Sequence, residues 1–269
     1  MSSVRTSHAA LFAASALLFA ASAVTTVMWS LSMSSMGEMP MPGGWSMSMT
    51  WMPTCGETWL GAAASFVGMW TVMMVAMMLP SLVPMLMRYR EAIRSASRRH
   101  EEWLTALVGV GYFAVWTALG VAVFALGSAV ASAEMRIPAL ARIVPVAVGS
   151  VALAAGALQF TAWKARQLAC CKMMSPHCHE RIGGSGAALR HGLHLGLRCS
   201  NCCIGLTALL LVAGVMNLGA MALVTVAITA ERLSPVGERI ARGIGAVLLL
   251  AGVLLIARAT GFSAFASFE

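Results

Sequence analysis

The sequence predicts an all-α bundle of about six membrane-spanning helices, and three observations predict it. Apolar residues arrive in blocks of about 20, the length that crosses ~30 Å of hydrocarbon as helix. Hydrophobic residues make up 59% of the 269-residue chain and charged ones 10%, where a soluble domain is about a quarter charged. Lys and Arg concentrate in alternating connections, the pattern that orients helices in a bilayer.

The spans are expected over 9–31, 59–86, 103–128, 138–163, 203–229 and 240–259, within one transmembrane domain covering 1–269. The first is not followed by a cleavage site and a soluble domain, so it reads as a retained helix, with a signal anchor as the near alternative. Residues 32–58 form a Met-rich loop without Lys or Arg, expected to face outward. The stretch "RYREAIRSASRRHEE" before the third span reads as a cytoplasmic turn in contact with anionic lipid. Residues 164–202 form a cytoplasmic loop rich in Cys and His. Gly183–Gly186 reads as its hinge, and Leu189, Leu193 and Leu197 mark a short interfacial helix. With these spans, 13 basic residues fall on one side and 5 on the other. Both termini are therefore expected in the cytoplasm.

The net charge of +8 belongs to this topology, not to nucleic-acid binding. Six of the seven cysteines fall on the cytoplasmic side, where thiols stay reduced. That argues against a disulfide framework and for metal or redox chemistry.

Cys199, Cys202 and Cys203 form a C-x-x-C-C at the start of the fifth span and share one helical face. Asn217, Met221 and Glu231 project within the same arc, with Met216 at its edge. Together they read as a polar seam, and polar groups at membrane depth usually face a bundle interior or a path. The preceding loop adds Cys170, Cys171, His177, Cys178 and His179, and His191 and His194 follow at i, i+3. Thiolates and thioethers suit Cu(I); mixed Cys/His sets also suit Zn.

The outer loop holds Met39, Met41, Met47 and Met49 as two M-x-M pairs. Thioether is a soft ligand that needs no deprotonation, and Cu(I) accepts it best. The plain alternative is a loop whose Met and Trp dip into lipid. In the second span, Met69, Met73 and Met77 stack on one stripe, with Met74 and Met78 beside it. Such a stripe serves packing or, between a Met loop and a Cys/His cluster, a route. Pro80 and Pro84 interrupt this helix, which a membrane tolerates where the freed carbonyls face protein or a cavity.

Two segments carry a family resemblance: "MWTVMMVAMMLPSLVPML" (69–86) and "GLRCSNCCIGLTALLLVAGVMNLGAMALVTVAITAER" (196–232). Over about residues 59–235 the chain resembles the domain of unknown function 2182, a bacterial family described as predicted metal-binding integral membrane proteins, and the resemblance implies a multi-pass chain in the bacterial inner membrane. The resemblance implies functional roles for Cys199, Cys202, Cys203, Met216, Asn217 and Glu231, for Met73, Met74, Met77, Met78 and Pro80, and for Lys164 at the end of the fourth span. The chain departs from the pattern at Cys170 and Cys171, which Met173 and Met174 separate from Ser175-Pro176. It departs again at Ile204 and at Leu206-Thr207.

The expected function is soft-metal binding, Cu(I) before Zn, extending to transport or handling of the ion. The bilayer is one partner; a metallochaperone or a second membrane subunit is the other. No ATP-binding motif is visible, and no catalytic residues are expected. Two alternatives stay open: a membrane dithiol oxidoreductase using Cys199-x-x-Cys202, and a non-catalytic partner subunit.

Overall fold

The computed structural model describes residues 2–34, 38–41, 45–48, 51–53, 56, 58–93, 97–172 and 184–261. Of Met39, Met47, Cys170 and Cys171 it describes the backbone alone. Met49, His177, Cys178 and His179 lie outside the described residues.

The elements run α1 (Ser2–Ser34), a small hairpin of β1 (Glu38–Met41) and β2 (Trp45–Ser48), α2 (Trp59–Ala92), α3 (Arg98–Arg136), α4 (Pro138–Gln159), α5 (Ala162–Lys172), α6 (Ser185–Ala213), α7 (Leu218–Leu233) and α8 (Gly237–Ala259). Six helices, α1 to α4, α6 and α8, are long and apolar enough to cross a membrane. The all-α bundle with about six spans is what the apolar blocks require.

Local chemistry explains the boundaries. Thr58 opens α2 by accepting from the Gly61 amide at 3.1 Å, which satisfies one unpaired N-terminal donor. Ile137 is extended, with φ −125° and ψ 91°. A residue before proline is driven there, and Pro138 is suited to a first helical position, so α3 and α4 separate without a loop. Inside α2, Pro80 and Pro84 remove two helical donors; Ser81 Oγ, between them, donates to the Met78 carbonyl at 3.0 Å.

Close helix packing rests on glycine. A Cβ at Gly192 would land on the Val108 backbone, and one at Gly196 would reach the Tyr112 carbonyl at 2.8 Å. This G-x-x-x-G edge lets α6 lie along α3 in parallel. Gly156 and Gly245 meet in the same way between α4 and α8, which run antiparallel. At the far end of α2, Phe66 contacts Trp51 at 5.2 Å and Phe124 at 5.3 Å between ring centroids.

The fifth apolar stretch differs from expectation. It is not one span over 203–229. α6 stops at Gly214, whose φ of +101° a side-chain-bearing residue rarely adopts. The Asn217 side chain accepts from the Ala220 amide at 3.0 Å and starts α7. α7 then runs back along α6, so Arg232 near its end meets Cys199, partway along α6, at 3.0 Å. Ser30, near the end of α1, donates to the Met216 carbonyl at 2.7 Å and marks which face holds the turn.

This return changes the polarity of the chain. α8 starts beside Gln159, at the end of α4, so α1 begins and α8 ends at opposite faces. The expectation of both ends on one side is corrected, because α7 adds a return pass that a continuous fifth span lacks. Arg232, Arg239 and Arg242 join Arg5, Arg88, Arg90, Arg98, Arg99, Lys164, Arg166, Lys172, Arg190 and Arg198 on one face. Arg136, Arg142 and Arg258 stay on the other. Among the described residues the division is thirteen against three, a sharper asymmetry than the uninterrupted spans allow. The first is called the basic face and the second the hairpin face.

Candidate metal site

Three thiols lie in the wall of α6 facing the bundle interior: Cys199, Cys202 and Cys203 are 0%, 2% and 2% exposed. They stand inside a spanning helix, not in a loop at its mouth, because α6 already begins at Ser185. Cys203 stands one helical turn from Cys199.

Cys199 is the hub. Gly196, one turn earlier, brings α6 onto α3 at Tyr112, and the Tyr112 hydroxyl donates to Cys199 Sγ at 2.9 Å. Arg232 Nη1 donates to the same sulfur at 3.0 Å and to Ser81 Oγ at 2.8 Å. Arg232 Nη2 points at Met85 Sδ, 3.4 Å away. From α2, Met78 Sδ lies 4.0 Å from Cys199 Sγ. Met78, Ser81 and Met85 share one face of α2 at helical spacing, so one stripe of α2 presents a thioether to the thiol and a hydroxyl and a second thioether to the Arg232 guanidinium.

Beside the thiols sits a buried ion pair. Lys164 Nζ is 2.7 Å from Glu231 Oε2, with side chains 6% and 2% exposed. Lys164 also donates to the Cys202 carbonyl at 2.7 Å, and Gln159 Nε2 donates to Glu231 Oε1 at 2.8 Å. Burial works against the Lys164 charge, but Cys202 and Glu231 outweigh it, and its pKa ends above the ordinary lysine value. A void of about 10 Å³ between Lys164, Gln159 and Cys202 is no larger than one water.

Of the residues expected to act together, the fold unites Cys199, Cys202, Cys203, Glu231 and Lys164. Glu231 arrives through the return of α7, not by sharing a helical face with the thiols. Met221 is buried on α7. Met216 and Asn217 stand at the opposite end of the α6–α7 pair, where Asn217 is an exposed helix cap; they are not part of a seam with the thiols. Met73 and Met77 are packed in the core, 1% and 3% exposed. The methionine that reaches the thiols is Met78. On the hairpin face, backbone pairing sets Met39 opposite Met47 and Met41 opposite Trp45. Trp45 Nε1 ties this hairpin to α4 through the Ala141 carbonyl at 2.8 Å. The loop ligands from Cys170 to His179 add no described side chain. His191 stacks on Tyr89 with centroids 5.3 Å apart, away from the thiols.

Sequence reasoning missed Tyr112, Arg232, Met85 and Gln159. Arg232 reads as a loop charge marking the membrane boundary. Its one visible signal is adjacency to Glu231 in an otherwise apolar run. Among the described residues, no three His, Cys, Asp or Glu side chains form a set that could hold an ion by themselves. What converges instead is a thiol and a thioether from two helices, backed by a guanidinium and a phenol.

A family model described as PpoB2, copper chaperone, matches residues 67–255. That interval contains every side chain of the cluster. Neither the curated proteins nor the solved structures supply a match.

Proposed function

Since the chain belongs to the PpoB2 family of copper chaperones, we propose that it carries copper as Cu(I) on Cys199 and Met78, with Cys203 or Cys202 as a further ligand. The observation that carries this reading is the 4.0 Å between Cys199 Sγ and Met78 Sδ. Two sulfurs sharing one metal at bonds of about 2.3 Å and an angle near 120° stand about that far apart. A thiolate with a thioether is a donor set that favours Cu(I) over Zn.

The basic face is the cytoplasmic one, which the distribution of Lys and Arg supports, and the membrane is the bacterial inner membrane, which the resemblance to domain 2182 supports. The Met hairpin collects copper outside, and the buried stripe of α2 leads inward from it to Met78. Copper then passes between the thiol site and a metallochaperone or partner subunit by exchange of sulfur ligands. The Cys-x-x-Cys-Cys and Gly-Val-Met-Asn-Leu motifs support the finer kinship with domain 2182.

Elemental analysis of the purified protein tests the reading. It predicts about one copper per chain, lost in the Cys199/Cys202/Cys203→Ser variant. A metal-free protein with a titratable Cys199–Cys202 disulfide would instead make it a dithiol oxidoreductase. Neither copper nor disulfide would leave a non-catalytic subunit.

A further inference from the structure

On the basic face a cleft of about 450 Å³ opens between α5 and the start of α8, lined among others by Gln159, Phe160, Lys164, Arg166, Glu238 and Arg242. Clefts of about 300–1,000 Å³ hold small-molecule ligands. Three of these side chains are cationic and one is anionic. Arg166 Nε donates to its own helix at the Ala162 carbonyl. Arg242 pairs with Glu238 at 2.6 Å, but both are more than half exposed, and such surface pairs hold weakly.

The surroundings of the cleft give the depth. Phe160, in its lining, is 50% exposed, and Trp163, early in α5, is 37% exposed. Aromatic residues gather at the level of lipid headgroups, and basic pockets between helices on the cytoplasmic side bind acidic headgroups.

We propose that this cleft seats the headgroup of an anionic phospholipid. Arg166 and Arg242 take the phosphate, and Phe160 borders the acyl chains. Lys164 forms the floor, and its ammonium is the link to Glu231 and Cys202. The site is independent of copper.

The test uses the full chain with phosphatidylglycerol as the probe. Native mass spectrometry from detergent counts retained lipid in the wild type and in the Arg166→Gln/Arg242→Gln variant. At the strength of about one unit of attraction per membrane-surface cation, losing two should weaken retention about thirtyfold. Melting of both proteins in phosphatidylcholine nanodiscs should coincide, and added phosphatidylglycerol should raise the melting point of the wild type only. Equal retention by the two proteins would overturn the proposal. So would displacement of the lipid by inorganic phosphate at the same concentration, which would mark the cleft as a site for a free anion.

Discussion

Glu231→Leu removes the counter-charge of Lys164 while leaving a side chain of similar volume. The wild-type carboxylate is 2.7 Å from the ammonium and 2.8 Å from Gln159 Nε2, and both charged side chains are at least 94% buried. In the variant the ammonium keeps the Cys202 carbonyl but loses its neutralising partner. Breaking a buried pair from one side costs about 3–5 kcal/mol. Removing both partners, as Lys164→Met/Glu231→Leu, takes the unpaired charge away and strands only Gln159 Nε2, worth about 1–3 kcal/mol. The double variant should therefore be about 2 kcal/mol more stable than Glu231→Leu alone, and its cost should fall well short of the two single costs added. Equilibrium unfolding in mixed micelles, followed by helical circular dichroism, compares the wild type with Glu231→Leu, Lys164→Met and the double variant. A Glu231→Leu cost below about 1 kcal/mol, or a double variant whose cost is the sum of the two singles, would refute a desolvated ion pair at this position.

Arg232→Lys keeps the charge but not the planar fork that reaches Ser81 and Cys199 together; it should cost about 1–3 kcal/mol in the same assay, with wild-type stability counting against the contact. Gly192→Ala pushes a methyl into the Val108 backbone and should cost about 1–3 kcal/mol by overpacking, and a neutral result would contradict the close α3–α6 approach. Gly214→Ala forces a Cβ into a left-handed turn and should cost about 1–2 kcal/mol; stabilisation would mean that α6 and α7 are one continuous helix. In a background without native cysteines, Thr260→Cys should react with an impermeant maleimide from the same side as Thr58→Cys and opposite to Glu102→Cys. Labelling of Thr260→Cys together with Glu102→Cys would refute the return path of α7.

The bundle was legible because length and hydropathy act locally: each apolar block is a helix whatever its neighbours do. The return of α7 was not. Gly214 and Asn217 sit within an apolar run, and a glycine at membrane depth serves equally as a packing surface or as a turn. Only the φ of Gly214 and the Asn217 cap decide between them. Arg232 and Arg242 were read as loop charges for the same reason: charge beside an apolar block normally marks the boundary. Of the site, the C-x-x-C-C spacing exposed three thiols on one helical turn, and the Glu231 carboxylate was visible as a polar residue out of place. Tyr112 and Met78 reach Cys199 across 87 and 121 residues of chain. Their role depends on how α2, α3 and α6 pack, which the glycines permit but no local pattern announces.

The central claim is that one copper is held by sulfur between α6 and α2. Copper K-edge X-ray absorption on the Cu(I)-loaded full chain, compared with Cys199→Ser and Met78→Leu, tests it most directly. The account predicts an all-sulfur shell of two or three ligands at about 2.3 Å, loss of the bound copper in Cys199→Ser, and one fewer sulfur in Met78→Leu with stability within about 1.5 kcal/mol of wild type. A shell dominated by nitrogen or oxygen, or a spectrum unchanged by both substitutions, would contradict it.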